Sequence, residues 1–276
     1  MSHLTHPKTL LAAHGLEPKK SLGQNFLSDE GILRRITAAA DIAPSDEILE
    51  IGPGLGALTV QLAQAAQRVI AVELDGRLLP ILAEQCAPYP HITIVEGDIL
   101  EQEAWRWFTR PYKVVANVPY YITGAILRHL LSAELRPECM VLTVQKEVAE
   151  RLTAAPGDLS ILAVSVQFYG QPRVVTTLPA GAFWPRPKVD SAVVVIDLRQ
   201  RPVSANRVTD EELFFRLVKA GFSQKRKQLH KNLRTLGYSR EQIGQFLGRA
   251  AIAPERRAET LTIDEWVALW EAVNHS

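Results

Sequence analysis

Residues 46–56 read Asp-Glu-Ile-Leu-Glu-Ile-Gly-Pro-Gly-Leu-Gly, and residues 55–66 then show helical apolar spacing. A short apolar run, a turn with glycine at 52, 54 and 56, and a helix make the opening unit of a parallel sheet flanked by helices. Glycines at such a turn let the backbone bend sharply and let a ligand approach main-chain N–H groups. The alternation continues outward. Strands are predicted at 47–51, 68–74, 91–96, 112–118, 140–145, 173–178 and 189–198, and helices at 55–66, 77–87, 122–131, 146–153 and 159–169. A Pro-rich loop rather than a helix separates the last two strands, so they are expected to form an antiparallel hairpin at the sheet edge. Upstream, Ser28 before Asp29 and Glu30 is the expected N-cap of a helix through residue 40.

Beyond residue 198 the strand pattern stops. Residues 199–208 are polar and contain Pro and Asn, as a linker would, and helices are expected at 210–220, 224–236, 240–247 and 263–273. The fold class expected is therefore α/β, a Rossmann-like seven-stranded, mostly parallel sheet, with a small all-helical domain at the C-terminus. The expected boundary puts 1–204 in the first domain, with a flap over 1–28, and 205–276 in the second.

With 276 residues, 47% hydrophobic and 22% charged, the chain can bury one large core or two smaller ones, which excludes disorder and fibrous architecture. No apolar run approaches the ~18–20 residues needed to span a bilayer, and the N-terminus lacks the features of a secretory signal, so the cytoplasm is the expected compartment. Cys86 and Cys139 cannot make a disulfide framework and have no zinc-type spacing; no metal is expected. The net charge of +1 hides an asymmetry. Residues 41–103 carry eleven acids against Arg68 and Arg77, a local net of −9, whereas 213–240 holds eight Lys/Arg and no acid. One part suits a cation and the other a polyanion.

The glycine turn alone is compatible with a nicotinamide enzyme, although the third glycine arrives one residue early for G-x-G-x-x-G. The second strand ends in Glu73 and the third in Gly97-Asp98, two acceptors at the carboxyl edge of the sheet. That triplet sits where Rossmann-like methyltransferases hold S-adenosyl-L-methionine: Gly52 beside the amino-acid tail, Glu73 on the ribose and Asp98 at the adenine amine, with Gly54 also expected to bind the cofactor. A carboxylate-rich rim suits a sulfonium and offers nothing to anchor a pyrophosphate.

The fourth strand ends in Asn117-Val118-Pro119-Tyr120. Methylating an exocyclic amine of adenine is difficult because the nitrogen lone pair is delocalised into the ring. An Asn side-chain oxygen, together with a carbonyl held outward by the following Pro, can accept from the amine and aim its lone pair at a methyl group. Tyr120 then offers a face on which the base can stack. No strong general base is needed.

These segments, together with 20–27 (KSLGQNFL), 144–149 (VQKEVA), 183–191 (FWPRPKVDS) and 222–229 (FSQKRKQL), make the chain resemble the bacterial small-subunit (16S) ribosomal RNA adenine N6,N6-dimethyltransferases over nearly its whole length. The resemblance implies dimethylation of two adjacent adenosines in a hairpin loop near the 3′ end of 16S rRNA, on the assembling small subunit, by a monomer. It also implies that Asn25 and Leu27 line the cofactor pocket with Gly52, Glu73, Asp98 and Asn117, and that Phe183 faces Tyr120 across the flipped base. Val118 stands where the family more often has Leu, and Ile99 where Ala is common. Lys19 and Lys20 before a Gly-containing loop read as a cationic hinge for a mobile flap. The basic run Lys225, Arg226, Lys227, with Lys231 and Arg234, is expected on helix faces that bind RNA phosphates. Two further functions fit: dimethylation of large-subunit (23S) rRNA, and service chiefly as a checkpoint in small-subunit assembly.

Overall fold

The computed structural model describes residues 5–275; the first four residues of the expected flap lie outside that range. Among the described residues nine strands form in chain order: β1 (Phe26–Leu27), β2 (Glu47–Ile51), β3 (Arg68–Glu73), β4 (Ile92–Glu96), β5 (Lys113–Asn117), β6 (Cys139–Gln145), β7 (Gln171–Leu178), β8 (Phe183–Trp184) and β9 (Ser191–Asp197). Helices are α1 (Pro7–Ala13), α2 (Glu30–Ala39), α3 (Ala57–Ala63), α4 (Leu79–Cys86), α5 (Thr123–Leu131), α6 (Lys146–Leu152), α7 (Ile161–Tyr169), α8 (Glu211–Gly221), α9 (Leu229–Asn232), α10 (Arg240–Arg249) and α11 (Ile263–Asn274).

Seven of the strands make one sheet in the order β4-β3-β2-β5-β6-β9-β7. The pairs β4/β3, β3/β2, β2/β5 and β5/β6 are parallel, and β9 runs antiparallel to β6 with Ser191 opposite Gln145. Strand order reverses between β2 and β5, so the loops leaving these two strands diverge and open a crevice at the carboxyl edge. Alternate residues of five strands, Ile48, Val69, Val115, Val141, Val193 and Val195, share one buried cluster with Leu33 and Ile36 of α2 and Leu58 and Leu62 of α3. The period-2 pattern of the strands and the helical stripe of α2 thus meet on the same face. At the opposite edge of β5, buried Lys113 donates to the carbonyls of Ala40 and Asp41 and pairs with Asp46 at 2.8 Å, which closes the end of α2. Cys86 and Cys139 are free and buried, and burial pushes the Cys86 thiol up to about 12.

Two features of the N-terminal segment differ from the expectation. The N-cap of α2 is Asp29, whose carboxylate accepts from the Ile32 amide at 3.0 Å. Ser28 is engaged elsewhere: its amide and hydroxyl both donate to the Ala182 carbonyl. It continues a two-strand ladder in which Phe26 lies opposite Trp184 and Leu27 opposite Phe183. That ladder, and the short α1 with Pro7 at its first turn, carry too few residues for a periodic signal.

By contacts the chain forms two compact units, one of residues up to Ala149 with Arg173–Leu198, the other of Glu150–Pro172 with residues from Arg199 onward. Residues 150–172, which the sequence reading placed in the first domain, therefore group with the C-terminal helices. The reason is aromatic: Phe168 of α7 stacks on Phe214 of α8 at 4.3 Å, and the Tyr169 hydroxyl donates to Glu211 at 2.6 Å. Arg201 lies over the Phe168 ring at 4.6 Å. Trp266 and Trp270 of α11 are buried in the same unit. The expected helix over 224–236 is also shorter. Only α9 and a following 3-10 turn form, because the buried Asn232 amide donates to the carbonyls of Gly221 and Gln224 and holds residues 223–228 as a turn. Lys225, Arg226 and Lys227 therefore occupy a loop, whereas Lys231 lies on α9 and Arg234 on the following 3-10 turn. Among the described residues no helix is long and apolar enough to cross a membrane.

Candidate active site

A cleft of roughly 540 Å³ opens at the switch point. Its floor is the turn after β2, where Gly52, Gly54 and Gly56 all have positive φ, of 68°, 59° and 86°. Gly54 is the most constrained. Its amide donates to Glu73 Oε2 at 2.9 Å, and a β-carbon there would meet the Phe26 ring at 3.0 Å. Glycine is required by the conformation and by the space.

Around this floor the structure brings together the expected residues Asn25, Leu27, Gly52, Gly54, Glu73, Asp98, Asn117, Val118, Pro119 and Tyr120. Glu73, at the end of β3, accepts from Gly54 on one oxygen and from the Asp75 amide on the other at 2.8 Å, which leaves a second lone pair on each. Asp98 caps the turn after β4 through Oδ1, at 2.9 Å from the Leu100 amide. Ile99 is buried and lines the cleft. The Asn117 side-chain amide donates to the Asn25 carbonyl at 3.0 Å, which turns Oδ1 away from that partner. Val118 is buried, and its amide donates to Thr143; its carbonyl accepts no hydrogen bond among the described residues. The Tyr120 hydroxyl is 2.6 Å from that of Ser191, so the ring is held by the first residue of β9.

Phe183 is the exception. It is buried in the core with Leu27 and Leu33 and does not line the cleft. It supports β1 from the partner strand.

Two acids that the sequence reading left unassigned bear on the site. Glu50, the last acid before the turn, lines the cleft, is 1% exposed and has an Oε2 without any partner. Burial pushes its carboxyl up to about 8. Asp75 is gripped by both Arg77 Nε and Nη2, and by Gln24 at 2.9 Å, with Lys19 at 3.5 Å. The Arg77 guanidinium holds the Asp75 carboxyl well below the usual carboxylate range. Residues 19–25, which read as a cationic hinge, are thus latched to the acid two residues past Glu73. Position was the available signal for both: Glu50 opens the glycine motif, and Asp75 follows Glu73.

Glu50 gives a prediction. Its folded value lies above that of an unfolded glutamate, so the folded chain holds an extra proton between about pH 5 and 8 and loses stability as pH rises through that range. Glu50→Gln should abolish that pH-dependent loss, which amounts to roughly 2–3 kcal/mol between pH 5 and 7. Thermal unfolding of both proteins across that range checks it; parallel curves would show that Glu50 titrates normally.

The strand order, β9 running antiparallel to β6 and the crevice between β2 and β5 define the chain as a Rossmann-like, class I methyltransferase. Among solved structures it is similar to the 23S rRNA methyltransferase ErmE (TM-score 0.71, 29% identity, 91% of this chain and 100% of that one). It is also similar to a dimethyladenosine transferase from Plasmodium falciparum (TM-score 0.77, 28% identity, 91% and 98%). Within that class the chain belongs to the ribosomal RNA adenine dimethylase family, whose model matches residues 15–275. Curated relatives include the ribosomal RNA small subunit methyltransferase A of Dehalococcoides mccartyi strain 195, 45% identical over 271 residues, covering 97% of this chain and 92% of the relative. That of Moorella thermoacetica is 44% identical over 278 residues, covering 96% of each.

Proposed function

We propose that this protein transfers methyl groups from S-adenosyl-L-methionine to the N6 amines of two adjacent adenosines in a hairpin loop near the 3′ end of 16S rRNA, on the assembling small subunit, as a cytoplasmic monomer. The observation that carries the reading is the pair of unspent acceptors at the carboxyl end of β5: Asn117 Oδ1 and the Val118 carbonyl, on either side of one peptide link and lining a cleft.

The residues present fit the donor. Glu73 has lone pairs left for two ribose hydroxyls, Asp98 Oδ2 is without a protein donor among the described residues, and Glu50 Oε2, buried without a partner, can accept from an ammonium group. Asn25 and Leu27 close the cleft from the latched segment. The bound donor supplies an electrophilic methyl on a sulfonium.

The chain does the rest. Asn117 Oδ1 and the Val118 carbonyl accept the two N–H groups of the amine and turn its lone pair out of conjugation. Pro119 fixes the direction of that carbonyl. Tyr120, anchored by Ser191, presents its ring to the extruded base, and Phe183 steadies β1 beside it. As nitrogen attacks, its proton becomes acidic and passes to solvent, so no buried base is called on. For a second transfer to the same nitrogen, one acceptor holds the remaining N–H while the other is released.

RNA is held by the second unit, where Lys225, Arg226, Lys227, Lys231 and Arg234 are all exposed and carry no ion pair among the described residues. If about four to six basic residues of this region contact phosphates, log K should fall with log salt at a slope of roughly −3 to −4. Neutralising Lys225, Arg226 and Lys227 together should reduce that slope by about 2; an unchanged slope would move the RNA elsewhere.

The small-subunit reading is favoured over the large-subunit one by the near-full-length likeness to small subunit methyltransferases. Incubating each subunit, partly assembled, with labelled donor tests it. Label should enter 16S rRNA, and label confined to 23S rRNA would overturn the assignment.

A further inference from the structure

Tyr121 is 61% exposed, yet it lines the cleft, in the same turn as the amine acceptors and Tyr120. The other side chains of that turn are committed. Asn117 bonds to Asn25, Val118 is buried, Tyr120 bonds to Ser191, and buried Thr123 donates to the Tyr120 carbonyl. The Tyr121 hydroxyl makes no hydrogen bond among the described residues.

An isolated exposed aromatic needs no explanation by itself. Two observations set this one apart. Its ring is braced: a β-carbon at Gly23 would lie 3.4 Å from two of its ring atoms, so the latched segment 19–25 supports it while most of its surface stays open. Basic side chains also lie on the loop that anchors the neighbouring ring. The loop after β8 carries Arg186 and Lys188, both exposed and without an ion pair among the described residues, and it ends on Ser191, the anchor of Tyr120. A braced aromatic face, with free cations on the loop bonded to its neighbour, is the pairing by which single-stranded RNA is held, with bases on rings and phosphates on charges.

We infer that Tyr121 is the stacking platform for the nucleobase adjacent to the one delivered to Asn117, so that a single turn reads two neighbouring bases, one on Tyr120 and one on Tyr121. This rests on the function proposed above and names a positioning residue for it. Arg186 and Lys188 would neutralise phosphates of the same short stretch. The requirement for two adjacent adenosines then has a physical source: whichever base enters the pocket, its neighbour needs an aromatic surface to replace the stacking it lost on extrusion.

The test compares wild type, Tyr121→Ala and Tyr121→Phe on partly assembled small subunits with labelled methyl donor, and measures donor affinity by calorimetry. Tyr121→Ala should raise KM for the particle about tenfold, the worth of one base stack. Its kcat should stay within about twofold and donor affinity should be unchanged, whereas Tyr121→Phe should behave as wild type. An unchanged KM for Tyr121→Ala, or equal damage from Ala and Phe, would overturn the stacking role. So would a loss of donor affinity in Tyr121→Ala, since the residue would then be bracing the latched segment. If wild type labels no small-subunit particle, the proposed function falls and this inference with it; normal labelling with an unaffected Tyr121→Ala removes this inference alone.

Discussion

Replacing Asn117 with alanine is expected to lower single-turnover methyl transfer about a thousandfold, the scale seen when one preorganised polar contact to a reacting centre is removed. The side chain does two things. Its amide donates to the Asn25 carbonyl at 3.0 Å, and its oxygen is left for the substrate amine. Loss of the first should weaken donor binding only severalfold, because one such hydrogen bond contributes about 1 kcal/mol. Loss of the second should appear almost wholly in the chemical step. Asn117→Asp separates them: acceptor oxygens remain, but a carboxylate then faces the Asn25 carbonyl, so donor binding should suffer more and catalysis less than in the alanine variant. Particle binding by Asn117→Ala should survive, and its ability to support subunit assembly would then report any checkpoint role apart from catalysis. A methylation rate within tenfold of wild type would remove Asn117 from the chemistry.

Gly54→Ala should have the next largest effect. At a φ of 59° an alanine costs about 1–2 kcal/mol, and its β-carbon would meet the Phe26 ring at 3.0 Å, an overpacking that costs about 1–3 kcal/mol more. The Phe26 ring is packed in a buried cluster with Leu11, Leu55 and Leu78, and the turn cannot yield without moving the amide that donates to Glu73. Calorimetry should therefore show donor affinity reduced about 30- to 100-fold, with a fall of several degrees in Tm. Donor affinity within threefold of wild type would mean that the glycine turn is not the floor of the donor site.

The parallel sheet was legible because each of its strands is a run of β-branched residues closed by a turn signal, as in 68–73 and 92–96. The cleft was legible because its acceptors sit at strand ends, where Glu73, Asp98 and Asn117 stand out against apolar runs. What could not be read was long-range. The β1/β8 ladder joins residues more than 150 positions apart through two-residue strands, and only that pairing explains why Ser28 leaves the N-cap to Asp29 and why Phe183 is buried. The grouping of 150–172 with the C-terminal helices follows from aromatic contacts of Phe168 and Tyr169 that no local pattern displays. The basic loop was misread as helix because Asn232, 11 residues after Gly221, captures its carbonyls. Glu50 is visible as part of the motif, but its raised carboxyl value depends on burial, which sequence alone does not report.

The central claim is that the carboxyl end of β5 grips the N6 amine of an extruded adenine while the neighbouring strand ends hold the methyl donor. Nucleoside-resolved mass spectrometry of 16S rRNA, after wild-type protein has acted on unmethylated small-subunit particles, tests it most directly. The account predicts N6,N6-dimethyladenosine at two adjacent positions of one hairpin loop, and none in a reaction with Asn117→Ala. Methyl groups on a ring carbon, a ribose or another base, or dimethyladenosine formed equally well without Asn117, would contradict it.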